Sequence, residues 1–232
     1  MKRKIAITGS NGKIGTVLKE GLKEYQITTI DRPNTDARKY EDLLNVICHH
    51  SAVVHLAWDT KTDNFRSEKI NPENTIMFYN VYKAAIEAGI PRVIMASSVH
   101  ADRFDNWKGP GYMSPDRMPM PDSPYGAHKV FMEALGRYFA TKGLEVACIR
   151  FGGVNSENIP PMEPPEERNV WFSHGDCISL LKTILEAQSI PNNFLILNGV
   201  SNNPNRFHDI TNPFNWSPKD SANAGADLQS AP

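Results

Sequence analysis

Cysteine is scarce in this chain. The three thiols, Cys48, Cys148 and Cys177, are odd in number and far apart, with no CxxC pair and no zinc-ligand spacing. That excludes a disulfide scaffold and a cysteine zinc site, and no metal site is expected; the thiols read as buried or inert in a reducing compartment. A charge excess is also missing: 25 Lys+Arg stand against 26 Asp+Glu, a formal net charge of -1, so nothing argues for nucleic acid as a partner. Long apolar runs are absent too. None approaches the ~20 residues of a membrane span, and the apolar part of "MKRKIAITG" is too short for a secretory signal. No internal repeat is visible. These absences leave a soluble, cytoplasmic chain of 232 residues, enough for one domain.

What is present is an alternation. Apolar runs of strand length, at 4–9, 26–31, 52–58, 92–99, 145–154 and 193–199, alternate with segments of helical period at 12–25, 37–50, 71–89, 123–143 and 175–187. Largely apolar strands separated by helices predict an α/β fold, a doubly wound parallel sheet covered on both faces. Two Pro-rich stretches, 100–122 and 155–170, read as long loops, which in a compact domain tend to be functional. The small, polar residues 221–232 read as a disordered tail.

The first strand breaks into "TGSNGKIG", with glycines at 9, 12 and 15 ahead of the first helix. Glycines between strand and helix let the backbone approach a pyrophosphate, which then meets free N–H groups at the helix start. The spacing is GxxGxxG rather than GxGxxG. Asp31, about 20 residues on at the end of the second strand, can accept from the adenosine ribose hydroxyls. A carboxylate there repels a 2′-phosphate and favours NAD over NADP; Arg32 weakens that preference without reversing it.

A second constellation follows in "SPYGAHK". Tyr125 and Lys129 lie four apart at the start of a helix and share one face. Ser97 and Ser98 end the strand "RVIMASS", and ligands bind at the carboxyl ends of such strands. An ammonium and a cationic nicotinamide both favour the phenolate, making Tyr125 a candidate general base, with Ser98 holding the substrate oxygen.

Taken in order, "TGSNGKIG", "VVHLAW", "VIMASSVH", "SPYGAHK" and "CIRFGG" resemble the extended, epimerase-like branch of the short-chain dehydrogenase/reductase superfamily over roughly residues 3–220. "NVWFSHGDCISLL" and "FNWSPKD" look like the uronate dehydrogenases within it. The resemblance implies a Rossmann-type single domain over 1–220. Its substrate-binding elements would fall at about 100–122, 155–175 and 200–220, the last a small C-terminal part. It implies an NAD-dependent oxidation of a sugar or sugar acid at the anomeric carbon, and a homodimer. Carried over by position, Gly9, Asn11, Gly12, Lys13 and Ile14 would line the pyrophosphate. Asp31 and Arg32 would lie at the ribose, Asp36 and Ala37 at the adenine edge, and Leu56, Ala57, Asn74 and Ser97 beside the cofactor. Ser98, Tyr125 and Lys129 match the catalytic three, of which Tyr125 and Lys129 also touch the cofactor; Thr60, His100 and Arg168 fall at or near substrate positions. Two positions depart from the pattern: Val99 stands for an asparagine and Gly153 for a serine. Losing two polar contacts should move the substrate away from the hexuronates or loosen the choice.

Other residues read as structural. His128 points off the Tyr–Lys face, His174 belongs to a helix-starting turn, and His49 and His50 suit a helix end. Trp58, Trp171, Phe172 and Phe207 read as packing. Two alternatives stay open: a sugar-nucleotide epimerase or dehydratase, which returns the hydride to its substrate, and a non-catalytic dinucleotide sensor.

Overall fold

In a computed structural model, residues 2–104 and 107–223 are described. Among them, six strands form one parallel sheet: β1 (Lys4–Thr8), β2 (Gln26–Ile30), β3 (Ala52–His55), β4 (Arg92–Ser98), β5 (Glu145–Phe151) and β6 (Phe194–Gly199). Their spatial order is β2-β1-β3-β4-β5-β6. The helices are α1 (Lys13–Gly21), α2 (Tyr40–Ile47), α3 (Pro72–Glu87), α4 (Pro124–Ala140), α5 (Pro165–Asn169) and α6 (His174–Glu186). The expected strands and long helices are all present, most of them trimmed at their ends; α5, inside the 155–170 stretch, was not expected.

Strand alternation divides the core. Ile5, Ile7, Val54, Ile94 and Ile149 face α1 and α6, meeting Leu18, Leu22, Leu180 and Leu181. Ala6, Val53, Val93, Met95 and Val146 face the other way, onto Leu43 of α2, Phe78 and Val81 of α3 and Met132 of α4. Two covered faces explain the continuous apolar strands. The chain winds outward from β1 to β2, then crosses back to β3, so the crevice where winding reverses opens at the carboxyl ends of β1 and β3.

A third apolar cluster lies beyond the ends of β4–β6, where Val99, Phe104, Met113, Val170 and Val200 pack together. The bridge Met113↔His208 ties those two segments together, and Gly153↔Trp171 ties the stretch after β5 to the one before α6. Asp176 holds the returning chain: its carboxylate accepts from the backbone N–H of Lys219 (2.7 Å) and Asp220 (3.1 Å). The first residues of the tail expected from 221 are held in place. Ala222 is buried, and its N–H donates to Asn203 Oδ1 (3.0 Å); residues 224–232 of that expectation lie outside the described ones.

Candidate active site

At the β1–α1 turn, Gly9 has φ +67°, and a Cβ there would stand 2.6 Å from Ala57 N. A Cβ on Gly15 would stand 2.5 Å from Gly9 O. The first glycine lets the turn lie against the end of β3; the third lets α1 pack against the turn. Gly12 caps α1 without a side chain, and no acid occupies its first turn, so the amides at its start remain available to an anion. Lys13 is exposed beside them and Ile14 packs inward. Asp31 is fastened next to the turn, accepting from Asn11 N (2.9 Å) and Arg32 N (2.9 Å), and each oxygen keeps acceptor capacity for a hydroxyl. A cradle of three glycines, open amides and a carboxylate at ribose distance in sequence fits a dinucleotide. Asp36, further along, is engaged by Arg38 Nε (2.9 and 3.0 Å), which holds its carboxyl below the usual range. Ala37 beside it is buried.

The turn connects to the second constellation through three consecutive residues. Leu56 and Ala57 touch the Gly9 position, and Trp58 lies over the Lys129 ammonium, with Nζ 3.5 Å from the ring centroid. Lys129 donates to Ala96 O at 2.7 Å. Tyr125 packs edge-on to Trp58 at 5.8 Å, and the Ser98 side chain lies beside its phenol and acts to lower its pKa. Ser98 Oγ accepts from His100 N (3.3 Å), which starts a tight turn at Val99–Ala101. His100 faces Tyr125 at 6.1 Å between ring centroids, pairs with Asp122 (2.6 Å) and carries Phe65 stacked on it at 4.2 Å. The structure thus brings Ser98, Tyr125, Lys129 and His100 to one end of β4, as the sequence predicts.

Burial governs the charges here. It pushes the Tyr125 phenol up to about 12, against the lowering effect of the Ser98 hydrogen bond, and the Lys129 amine down to about 7. The sequence argument expects a phenol lowered by its neighbours; in the bare site desolvation outweighs them. A cation bound beside Tyr125 would therefore have the larger part in ionising it.

Four assigned side chains sit differently. The Ser97 hydroxyl donates to Glu133 Oε1 (2.6 Å), away from Ser98, because alternate strand residues point to opposite faces. Asn74 is wholly buried between Asp59 N (2.7 Å) and Asp63 Oδ2 (2.8 Å). Thr60 is exposed on the connection between β3 and α3. The Arg168 guanidinium is turned to the carbonyls of Pro161 and Ala222, where it fastens the 155–170 segment to the end of the chain.

Sequence reasoning missed a buried ionic chain beneath the site. Glu133 takes Arg150 Nε and Nη2 at 2.9 Å each; Arg150 lies 4.0 Å from Asp102, and Asp102 pairs with Arg117 (3.0 Å). Its signal was present: Glu133 follows Lys129 by four residues on the same helix face. Trp58 is part of the site rather than simple packing, and His174 is bonded to Asn155 O (2.7 Å).

The model of the NAD dependent epimerase/dehydratase family matches residues 5–174. The L-arabinose 1-dehydrogenase (NAD(P)(+)) of Haloferax volcanii is 33% identical, covering 90% of this chain and 92% of that protein. The uronate dehydrogenase of Agrobacterium fabrum is 29% identical, covering 97% and 87%. A solved structure of the uronate dehydrogenase from Agrobacterium tumefaciens, a mutant complexed with NAD, superposes with a TM-score of 0.81 at 26% identity, covering 99% of this chain and 90% of that one. With a glycine cradle at the crevice and a matching family model over most of its sheet, this chain belongs to the NAD dependent epimerase/dehydratase family and is an NAD-dependent oxidoreductase.

Proposed function

We propose that this protein oxidises the anomeric hydroxyl of an aldose or sugar acid to a lactone. The observation that carries the proposal is the convergence of Ser98, Tyr125 and Lys129 at the end of β4, joined through Trp58 to the glycine turn. Ser98 orients the substrate oxygen. Tyr125 takes the hydroxyl proton, and the carbon–oxygen bond becomes a carbonyl as the same carbon gives up its hydride. NAD, when bound, supplies the hydride acceptor and a positive charge near the phenol. Gly9, Gly12 and the amides that open α1 would hold its pyrophosphate, Asp31 its ribose. Lys129 would hold the nicotinamide ribose and, when protonated, adds positive charge beside the phenol. Phe65, on His100, walls the approach to Tyr125. Incubation with NAD and a panel of aldoses and uronates should yield NADH, and Tyr125→Phe should cut kcat about 10³-fold while NAD still binds. No NADH on any sugar, or an unaffected Tyr125→Phe enzyme, overturns the proposal. An epimerase would retain cofactor and form no net NADH.

The same reading extends to assembly and location. Ile76, Tyr79 and Ile86 on α3 and Phe131 and Tyr138 on α4 are exposed, an apolar face suited to a second copy. Phe131→Lys should halve the mass seen by light scattering. The free thiols suit the reducing cytoplasm.

A further inference from the structure

Behind Lys129 lies a carboxylate that the reaction above does not use. Asp63, on the connection between β3 and α3, is completely buried. Its Oδ2 accepts three hydrogen bonds: from His128 Nδ1 (2.7 Å), Asn74 Nδ2 (2.8 Å) and Asn71 N (3.1 Å). Its Oδ1 is buried without a partner. Its backbone carbonyl accepts from the Trp58 indole N–H at 3.1 Å. His128 is the residue before Lys129, and its Nε2 reaches Thr75 Oγ1 of α3 at 2.7 Å. One imidazole thus ties the Asp63 carboxylate to α3.

Two consequences meet at Lys129. The ammonium is almost wholly buried, and its contacts are one backbone carbonyl and the face of Trp58, neither of which carries a negative charge. The charged and titratable groups around it are Asp63, Glu133, Cys148, His55 and Tyr125. Glu133 is already bonded to Arg150 and Ser97, and burial holds Cys148 and His55 neutral. That leaves Asp63 as the carboxylate in this group with no arginine bonded to it. We propose that Asp63, fixed by His128, is a positioning residue for Lys129: its carboxylate sets the charge around the buried lysine, and its backbone carbonyl aims Trp58 at the amine. The proposal rests on Tyr125 and Lys129 being the reacting pair.

Asp63→Asn isolates the charge, because the amide oxygen can keep all three bonds at Oδ2 and the amide nitrogen falls at the unpartnered Oδ1. Two readouts decide. In lysine-labelled protein, the Lys129 Cε resonance, assigned by its loss in Lys129→Met, should titrate about one pH unit lower in Asp63→Asn. On the preferred sugar, kcat at pH 7 should fall about tenfold while the NAD dissociation constant stays within about twofold. His128→Asn, which keeps a donor at the Nδ1 position, should lose less activity than His128→Leu; if His128→Leu does not fold, Asp63→Asn decides alone. An unmoved lysine titration overturns the charge role whatever the activity does, leaving Asp63 as a loop fastener. A moved titration with unchanged kcat overturns the positioning role. The NMR titration needs no turnover, so a wild-type protein inactive on every sugar refutes the dehydrogenase reading, and the positioning role with it, without being confused with a failure at Asp63.

Discussion

The two halves of the cleft are built by different means. On the β1/β3 side, recognition depends on backbone: glycines that allow close approach, uncapped amides, and one carboxylate held by two N–H groups. On the β4–β6 side it depends on side chains fixed by buried charge, with Glu133, Arg150 and Asp102 beneath β4 and Asp63 and His128 behind α4. Backbone recognition needs little beyond a short local motif. Side-chain recognition draws on segments scattered from residue 58 to residue 150, and leaves the chain with buried ions that are costly to break.

The contrast breaks most sharply at Glu133. Arg150 is only 2% exposed, and Glu133 takes both of its guanidinium bonds at 2.9 Å. Glu133→Gln leaves a buried arginine short of its counter-charge, which should cost about 3–5 kcal/mol of stability. Urea unfolding measures it. A loss below 1 kcal/mol would mean that Asp102, 4.0 Å from Arg150, already supplies the balancing charge.

Gly9→Ala attacks the other half with a smaller change. The new Cβ meets Ala57 N at 2.6 Å in a left-handed backbone, so about 2 kcal/mol should be lost. The functional loss should be larger than the structural one: calorimetry should find NAD binding weakened at least tenfold in protein that still folds. Undiminished NAD binding would break the claim that this turn is the cofactor cradle.

The same division explains what could be read in the sequence. Strand–helix alternation, the glycine turn, Asp31 and Tyr125/Lys129 are local patterns, and the fold and the convergence at β4 followed from them. Ser97 ends β4 beside Ser98, but the pleat sends the two to opposite sides and its hydroxyl meets Glu133. Arg168 was carried over by position alone, and its guanidinium caps carbonyls. Asp63 and Trp58 sit on an irregular connection with no periodicity, so nothing short of coordinates could bring them to Lys129. The short helix α5 escaped because a Pro-rich, acidic stretch reads as loop, yet prolines are tolerated in a helix's first turn.

His55 and His208, one in each half, give a finer comparison. His55 ends β3 in the cofactor half, bonded through Nδ1 to Thr8 Oγ1 at 2.7 Å; His208 lies against Phe104 in the substrate half with neither ring nitrogen partnered. Burial pushes both down to about 3. Below about 6.5 the unfolded chain binds a proton at each site that the folded chain refuses, so folding stability is unimpaired above that pH and falls as pH drops towards 3. Each site should contribute a slope of about 1.4 kcal/mol per pH unit. His208→Leu should remove one such slope between pH 6 and 5 and, by relieving two unpartnered nitrogens, should not destabilise the protein at pH 7. His55→Leu should remove an equal slope but cost stability at pH 7, since Thr8 would lose its bond. Equal behaviour of the two variants at pH 7 would mean that a buried water satisfies His208.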